Sequence, residues 1–478
     1  MIESPLLPHI GAYIAGKWSQ AASGRTLPVH NPASGEHLAD VPDMAGEETT
    51  AAIEAAARAV DQEVAAAERA GWLRGIHDLL LEHRQEMARI ITLEQGKPLK
   101  ESVVEVEYAA GFFRFYGEQL SALAPRILPE PIRGAQWTIL HRPAGVVGLI
   151  TPWNFPLAML AKKLAPALGA GCGVVAKPAE LTPLTAIALC HLAERAGVPA
   201  GRLNLVIGHA APIGETLCAH PAVRLISFTG STEVGRILMQ NCAPGLKRLA
   251  LELGGNAPFL VFADADLEAA ADALMANKFR CAGQTCVCAN RVLVQHEVAD
   301  RFAEMMAERV GKLRVGNGLD PQTDIGPLIN RAGVEKVSRH VRDALGRGAR
   351  RIVGDEPREG GGTFYPPTVL TGVTPEMLVS REETFGPVVA IGAFDSEDQA
   401  IALANGTPFG LAAYVFTRDA ERAERLASRL VFGHVGLNTG SGPTPEAPFG
   451  GMKQSGFGRE GGVEGLLEFC ETQTLVRA

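Results

Sequence analysis

Three cysteines stand close together in the middle of the chain, Cys281, Cys286 and Cys288, among small residues. Such a cluster allows three interpretations: metal ligands, a disulfide or a reactive thiol. The spacing C-x4-C-x-C has no second pair and no nearby histidine to complete a tetrahedral set, so no metal is expected. Small neighbours such as Gly283 and Thr285 would let a substrate approach a thiol. The stretch alone leaves both a nucleophile and an ordinary buried thiol open.

Two polar residues at the ends of apolar runs could complete nucleophilic chemistry. Asn154 lies in the segment Thr151–Pro156, where two prolines fix the turn. Its carboxamide could donate a hydrogen bond to a developing oxyanion, although a turn-forming asparagine explains the segment as well. Glu252 lies between two leucines at the end of an apolar run. Apolar surroundings raise a carboxyl pKa, as a general base requires; a solvated strand end is the alternative.

Two further segments at predicted strand ends indicate a nucleotide. In the first, Lys177 could contact a sugar hydroxyl or a phosphate, and Glu180 could accept hydrogen bonds from ribose hydroxyls. A surface salt bridge between these two residues is the alternative. In the second, Gly230 and Ser231 open a predicted helix whose N-terminus suits a pyrophosphate. The spacing is not G-x-G-x-x-G, so this interpretation rests on position rather than on a fingerprint.

The elements that must position these residues alternate between strands and helices. In the first block we predict strands at 145–151, 173–177, 203–207, 225–229 and 248–253, and helices at 157–168, 184–196, 211–219 and 232–242. In the second block we predict strands at 258–262, 291–295, 388–394, 411–416 and 434–438, and helices at 266–280, 297–313 and 418–430. This alternation predicts doubly wound parallel sheets, which bind ligands at the carboxyl ends of their strands. The candidate residues follow those ends.

The chain before these blocks has a different character. Residues 10–48 indicate an edge region of short strands, and residues 46–120 are predicted to be helical. Residues 124–144 contain several prolines and a predicted strand at 136–140. That strand belongs either to a protruding ribbon that contacts another subunit or to a simple surface hairpin.

Composition limits the functional class. A chain of 478 residues exceeds one hydrophobic core, so two or three domains are expected. The net charge of −8 and the absence of a long basic run argue against a nucleic-acid surface. No apolar run is long enough to span a membrane, and no signal peptide is evident. The eight cysteines are scattered, which favours reduced thiols and a cytoplasmic location over a disulfide framework.

The ordered set of motifs resembles the aldehyde dehydrogenase superfamily. The matching segments are Thr151–Pro156, Lys177–Glu180, Phe228–Gly235, Leu251–Asn256, Gly283–Cys286, Glu382–Pro387 and Pro448–Gly451, and the resemblance covers essentially the whole chain. It implies an α/β fold of two doubly wound α/β domains plus a small β oligomerisation domain. The implied boundaries are 1–121 and 145–254 for the NAD(P)-binding domain, 255–450 for the catalytic domain, and 122–144 and 451–478 for the oligomerisation hairpin and tail. A homodimer or homotetramer is implied as well.

The resemblance also implies a role for each motif residue. Cys286 resembles the nucleophile, Glu252 the general base that activates water, and Asn154, with the backbone N–H of Cys286, the oxyanion hole. The implied cofactor contacts are Trp153, Lys177, Glu180, Gly230, Ser231, Leu253, Glu383 and Phe385. The implied reaction is the NAD(P)-dependent oxidation of an aldehyde to its acid through a thiohemiacetal and a thioester on Cys286.

Within the superfamily, the segment around Phe279–Asn290 is most similar to succinate-semialdehyde dehydrogenases, in which Arg280 would bind the distal carboxylate of the substrate. Lys162 stands where a second arginine is usual, and Pro443 where a serine is usual. Lysine keeps the charge but loses the bidentate fork. The expected substrate is therefore an anionic aldehyde: succinate semialdehyde or, alternatively, glutarate semialdehyde, 2-oxoglutarate semialdehyde or a sulfonated aldehyde. Cys281 departs from a common asparagine, and the sequence assigns it no role.

Three further expectations concern the cofactor, the thiols and the product. A carboxylate at Glu180 accepts ribose hydroxyls and repels a 2′-phosphate, which predicts NAD in preference to NADP. Cys288 could form a reversible disulfide with Cys286, or be a small buried thiol. A dehydrogenase that passes its thioester to coenzyme A is a rival function, against which Glu252 argues. A non-catalytic protein of the same fold is another, against which Cys286, Glu252 and Asn154 together argue.

Overall fold

The first part of the chain forms two small antiparallel strand pairs and then four helices. The strands are β1 (Ala12–Ile14), β2 (Lys17–Ser19), β3 (Thr26–His30) and β4 (His37–Pro42), and the helices are α1 (Gly46–Val60), α2 (Ala66–Glu82), α3 (Arg84–Gln95) and α4 (Leu99–Gln119). The structure, a computed structural model, describes residues 2–129, 132–357 and 362–478. The predicted hairpin at 122–144 therefore contains two residues, 130 and 131, that lie outside the described ranges.

The first predicted α/β block is present. After β5 (Arg126–Ile127) and β6 (Gln136–Pro143), its strands are β7 (Val146–Ile150), β8 (Gly173–Lys177), β9 (Leu203–Leu205), β10 (Val223–Thr229) and β11 (Arg248–Glu252). Its helices are α5 (Pro156–Ala170), α6 (Leu184–Arg195), α7 (Ala210–Ala219) and α8 (Thr232–Cys242). Strands β9, β8, β7, β10 and β11 are neighbours in this order and all parallel, with β1 and β2 added antiparallel at one edge. Their carboxyl ends therefore meet at one edge, as predicted.

The second block contains more elements than the sequence pattern predicts. Its strands are β12 (Ala257–Val261), β13 (Ala289–Gln295), β14 (Arg350–Val353), β15 (Thr368–Thr371), β16 (Val388–Phe394), β17 (Phe409–Gly410), β18 (Ala412–Phe416) and β19 (His434–Leu437). Its helices are α9 (Leu267–Lys278), α10 (His296–Val310), α11 (Arg331–Gly346), α12 (Leu378–Arg381), α13 (Glu397–Asn405) and α14 (Ala420–Arg429). The sheet order is β14-β15-β16-β13-β12-β18-β19. The helix predicted at 266–280 is too long, because α9 ends at Lys278 and Arg280 begins a separate turn.

The C-terminal segment returns to both earlier parts of the chain. It contains β20 (Met452–Lys453), β21 (Gly456–Phe457), α15 (Gly462–Leu467) and β22 (Cys470–Arg477). Strand β21 pairs with β11 at the second edge of the first sheet. Strand β22 pairs antiparallel with β6 along its whole length, and β5 pairs with the other side of β6. No helix in the described part of the chain is long and apolar enough to cross a membrane.

Helices α5 and α6 follow β7 and β8 and begin without a side-chain cap of their own. Two buried glutamates from the preceding helices replace those caps. Glu105 on α4 accepts two backbone N–H groups at the start of α5, at 3.0 and 3.2 Å. Glu94 on α3 accepts two at the start of α6, at 2.7 and 2.8 Å. A carboxylate suits the positive end of a helix dipole, so α3 and α4 fix the position of both helices.

Candidate active site

A cavity of about 670 Å³ opens beside Cys286, and Asn154, Arg280 and Lys162 lie in its wall. Phe155, Met159 and Phe449 line much of the remainder, so the cavity is largely apolar. The structure thus brings together four residues that the sequence places in separate elements: the turn after β7, helix α5, the turn after α9, and the segment before β13. The lining also includes Lys100, Glu101, Glu105 and Asp324. A thiol and an amide with Arg280 and Lys162 around an apolar space suit a small anionic substrate.

The turn that leads to Cys286 has an unusual backbone. Cys281, Ala282 and Gly283 follow one another with φ values of 53°, 54° and 74°. Left-handed conformation is unfavourable for the first two, because each carries a Cβ. Glu101 on α4 accepts the backbone N–H of Cys281 at 2.7 Å and so helps to hold the turn. A Cβ at Gly283 would lie 2.2 Å from a backbone carbonyl oxygen at residue 386, so only glycine fits there.

Cys286 is a protonated thiol in this environment. Burial raises the pKa of Cys286 to about 12, and the nearby ammonium of Lys162 only partly offsets that effect. The neighbouring cation therefore does not make Cys286 a ready thiolate in the free protein, because desolvation is the larger effect. A base must remove the proton before the sulfur can act as a nucleophile.

Glu252 has the properties expected of such a base. It is the last residue of β11, it is buried, and neither carboxylate oxygen has a hydrogen-bond partner among the described residues. Burial and then the negative charge of Glu460 raise the pKa of Glu252 well above its usual range. Glu252 also affects the pKa of Cys286, which places the two groups within electrostatic reach of each other.

Lys162 and Lys163 share one buried carboxylate that the sequence analysis missed. The Nζ atom of Lys162 lies 2.5 Å from one oxygen of Glu460, and Lys163 binds the other oxygen. Burial would lower the pKa of Lys162, but Glu460, together with Tyr108 and Glu252, raises it above its usual value, so the ammonium stays charged. Lys162 therefore lines the cavity with part of its charge already neutralised. The adjacent lysines were visible in the sequence, but nothing there pointed to a partner about 300 residues later.

Arg280 is placed differently. Its guanidinium carbon lies 5.5 Å from the centre of the Phe155 ring, and its buried Nε has no hydrogen-bond partner in the described chain. No ion pair joins Arg280 to any of the residues in the ranges given above. A guanidinium without an ion-pair partner beside an apolar space is a strong site for a carboxylate or sulfonate.

The side chain of Asn154 is oriented by Gln284, a residue to which nothing in the sequence pointed. Its Nδ2 donates a hydrogen bond to the carbonyl oxygen of Gln284 at 2.8 Å. Gln284 is itself held, because its amide accepts the N–H of Ile329 and donates to the carbonyl of Cys281. Since the Asn154 amide carries two hydrogens, one remains for an oxyanion in the cavity.

The predicted nucleotide contacts lie along the carboxyl edge of the first sheet. Lys177 Nζ donates to Glu180 at 2.9 Å, just after β8. Burial would raise the pKa of Glu180, but the charge and hydrogen bond of Lys177 lower it below its usual value. Ser231 follows Gly230 and caps α8 by accepting the N–H of Val234 at 3.2 Å. A capped helix start at such an edge can hold a pyrophosphate.

A second group of contacts comes from the other block. Glu383 accepts the N–H of Gly255 at 3.1 Å, and burial raises the pKa of Glu383 to about 7. The ring of Phe385 meets that of Trp153 edge to face, with centroids 5.6 Å apart. Leu253 is buried beneath α8 and closely approached by that helix. The predicted contacts therefore face one another across the two blocks.

Cys288 is the third thiol of the cysteine cluster, and its sulfur contacts groups of its own turn. Cys288 donates from its Sγ to the carbonyl oxygen of Gly283 at 3.3 Å, and Lys278 lies 3.6 Å from the same sulfur. A disulfide between Cys288 and Cys286 stays a prediction. Within the described ranges, no group of three or more His, Cys, Asp and Glu side chains is arranged to hold a metal ion.

Comparison with known proteins gives consistent matches along almost the whole chain. A model described as "Aldehyde dehydrogenase family" matches residues 18–475. The NADP(+) succinate-semialdehyde dehydrogenase GabD of Escherichia coli is 49% identical over 466 residues, covering 97% of each protein. A 3-sulfolactaldehyde dehydrogenase of Pseudomonas putida is 47% identical, covering 98% of this chain and 97% of that protein. The crystal structure of an oxidoreductase from Marinobacter aquaeolei superimposes with a TM-score of 0.98 at 55% identity and covers 100% of both chains. These matches confirm the predicted fold class.

Proposed function

The chain belongs to the aldehyde dehydrogenase family, and we propose that it oxidises an anionic semialdehyde to the carboxylic acid with Cys286 as the nucleophile. The observation that carries the choice of substrate is Arg280, an unpaired cation in the same apolar cavity as Cys286. The names of two relatives agree with it, since succinate semialdehyde and 3-sulfolactaldehyde both carry a negative group beyond the aldehyde. A guanidinium fork can donate two parallel hydrogen bonds to either a carboxylate or a sulfonate.

The chemistry begins with the removal of a proton from Cys286. Because burial keeps the thiol protonated, Glu252 in its basic form is the group that accepts this proton, directly or through water. The thiolate then attacks the aldehyde carbon. The resulting oxyanion accepts hydrogen bonds from the free N–H of Asn154 and the backbone N–H of Cys286. Loss of one such donor typically costs about 3 kcal/mol of transition-state stabilisation.

Hydrolysis completes the reaction. After the hydride has left, a thioester joins the substrate to Cys286. Once Glu252 has passed the thiol proton to solvent, it takes a proton from water, and the hydroxide attacks the thioester carbonyl. The carbon–sulfur bond then breaks, the acid leaves, and Glu252 returns a proton to the Cys286 thiolate. The presence of Glu252 supports hydrolysis rather than transfer of the acyl group to coenzyme A.

The residues present fit a nicotinamide dinucleotide, which when bound supplies the hydride acceptor. The helix start at Ser231 suits its pyrophosphate, and the buried Glu383 has one oxygen available beyond its bond to Gly255. Glu180 supports NAD as the preferred form, because its carboxylate would repel a 2′-phosphate. Lys177, which pairs with Glu180, would hold that carboxylate ionised and in place.

We also propose the division of the chain into domains and its assembly into a homodimer or homotetramer. Residues 1–121 and 145–254 form the cofactor domain, residues 255–450 the catalytic domain, and residues 122–144 and 451–478 a small oligomerisation unit. The long pairing of β22 with β6 supports the third unit. Most of β6 is only half-buried within one chain, as a strand that meets another subunit would be.

The substrate proposal is tested by removing the cation and comparing matched aldehydes. We expect Arg280→Leu to lower kcat/KM for succinate semialdehyde about 100-fold, and for butanal by less than about threefold, because a charge-assisted bidentate pair is worth a few kcal/mol. Arg248→Leu is the matched control, since Arg248 lies on β11 and pairs with acidic residues of the C-terminal segment. Equal losses on both aldehydes in Arg280→Leu would contradict the proposal.

A further inference from the structure

Beside Asn154 lies a buried ion pair, Lys97 and Glu105, that the reaction scheme does not use. Lys97, in the short link between α3 and α4, donates from Nζ to the backbone carbonyl of Asn154 at 2.7 Å. The same Nζ lies 2.5 Å from Glu105 and 3.7 Å from the centre of the Phe155 ring. Both charged side chains are completely buried. Lys97 therefore contacts the residue proposed as oxyanion donor and the one that follows it.

Glu105 extends this contact to the next helix. One carboxylate oxygen binds Lys97, and the other accepts the two N–H groups at the start of α5. The corner that carries Asn154 is thus held at its carbonyl by Lys97 and at its exit by Glu105. Burying two charges contributes little net stability, because desolvation offsets most of their attraction. A role in geometry accounts for the pair better than a role in stability.

Cys281, to which the sequence assigned no role, also contacts Asn154, from the second α/β block. Its Sγ lies 3.5 Å from the Asn154 carbonyl as a donor and accepts a hydrogen bond from Gln95 at 3.2 Å. The side chain of Gln95 also accepts the backbone N–H of Lys97 at 3.0 Å. The carbonyl of Asn154 therefore lies between Lys97 of the N-terminal helices and Cys281 of the second α/β block. Cys281 stands at the start of the turn that leads to Cys286.

We propose that Lys97, Glu105 and Cys281 are positioning residues that set the placement of the Asn154 amide relative to the sulfur of Cys286. The inference rests on the proposed function of those two residues. The side chains of all three positioning residues are buried, and they act through the corner after β7 and the turn before Cys286 rather than on the aldehyde itself. A displacement of about 1 Å in such an arrangement can lower a rate about 100-fold.

The first test distinguishes a displaced oxyanion donor from a general disruption of the active site. The variant Lys97→Met/Glu105→Gln removes both charges and keeps an oxygen to cap α5. We expect kcat to fall between about 10-fold and about 100-fold, with KM for NAD unchanged within about twofold. Alkylation of Cys286 by iodoacetamide, followed by mass spectrometry, needs no oxyanion donor and should keep its rate within about threefold. Lys247→Met is the control, because the Lys247 ammonium, like that of Lys97, donates to backbone carbonyl oxygen but lies outside the site.

The second test is a double-mutant cycle with Asn154→Ala. If the pair acts through Asn154, the loss caused by Lys97→Met/Glu105→Gln should nearly disappear in the Asn154→Ala background. An equal loss in both backgrounds, or parallel falls in kcat and alkylation, overturns the positioning role. Retained activity in Asn154→Ala and Cys286→Ala would instead overturn the proposed function itself. Should the charge variant not fold, Cys281→Ala provides the same cycle, and Cys281→Asn should restore activity by again donating to the carbonyl.

Discussion

The ammonium of Lys162 lies 2.5 Å from a carboxylate oxygen of Glu460, so this cation of the substrate cavity is already paired before any aldehyde arrives. Glu460 also binds Lys163 and raises the pKa of Glu252. One carboxylate therefore connects the cavity wall with the candidate base. The predictions for Lys162 and Glu252 both depend on it.

Lys162 should contribute less to substrate charge recognition than Arg280 does. We expect Lys162→Met to lower kcat/KM for succinate semialdehyde less than about fivefold relative to butanal, because Glu460 already offsets the charge of Lys162 before the substrate binds. Steady-state kinetics with both aldehydes at the optimal pH measure this ratio. A selective loss as large as that of Arg280→Leu would show that the substrate anion takes Lys162 from Glu460.

The rate should rise with pH from neutral to alkaline conditions. Glu252 acts as a base only when deprotonated, and its pKa is raised, so the active form is lost as pH falls through that raised pKa. The thiol of Cys286, with a pKa of about 12, also gains thiolate as pH increases. A profile of kcat/KM from about pH 6 to about pH 10 measures this rise, which we call the ascending limb. A rate that falls across the range would contradict the prediction.

Removing the charge of Glu460 should move the ascending limb of the kcat/KM profile to lower pH. In Glu460→Gln the negative charge that raises the pKa of Glu252 is gone, and the two lysines that it neutralised lower that pKa further. We expect a shift of about one pH unit, which corresponds to a change of about 1.4 kcal/mol. Glu471→Gln is the matched control, because that carboxylate pairs with Arg248 away from the cavity. The same shift in both variants would refute the connection to Glu252.

Cofactor preference should respond to Glu180. We expect Glu180→Ser to raise kcat/KM for NADP at least about 10-fold and to lower that for NAD, because the carboxylate no longer repels a 2′-phosphate and Lys177 becomes free to bind it. Glu180→Asp keeps the charge and should change the ratio little. Higher efficiency with NADP in the unaltered protein would overturn this prediction.

Replacing Gly283 should destabilise the fold by a steric clash, and comparison with Gly35 separates that clash from the backbone strain of a positive φ. An alanine at 283 would place a Cβ 2.2 Å from a backbone carbonyl oxygen at a φ of +74°. Gly35 has the same φ of +74° with no atom within 4 Å of the added Cβ. We expect Gly35→Ala to lower the free energy of unfolding by about 1 kcal/mol, and Gly283→Ala to lower it by a further 1–3 kcal/mol, roughly the cost of overpacking. Denaturant titration measures both, and equal values would contradict the clash.

Much of the site could be predicted because its residues end strands. Alternating apolar runs locate β7, β8, β10 and β11, and parallel strands bring their ends to one edge, which groups Asn154, Lys177 and Glu252. Partners such as Glu460, Gln284 and Lys97 could not be found in this way. They meet the site across long sequence separations, and the local pattern around a buried charge does not reveal its partner. Elements α11, β14 and β15 were missed because loops rich in glycine and proline surround them.

Glu94 and Glu105 have a consequence for how this chain can be divided. A fragment that starts at Gly145 would contain five parallel strands of the first sheet, yet the N–H groups at the starts of α5 and α6 would lose their acceptors. Losing such a cap costs about 0.5–2 kcal/mol for each helix. The shortest fragment that keeps these acceptors therefore extends from the N-terminal helices through β11. This is the fragment to use for truncation, fragment complementation or domain exchange. Chimaeras that join related chains should place their junction before α1 rather than before β7.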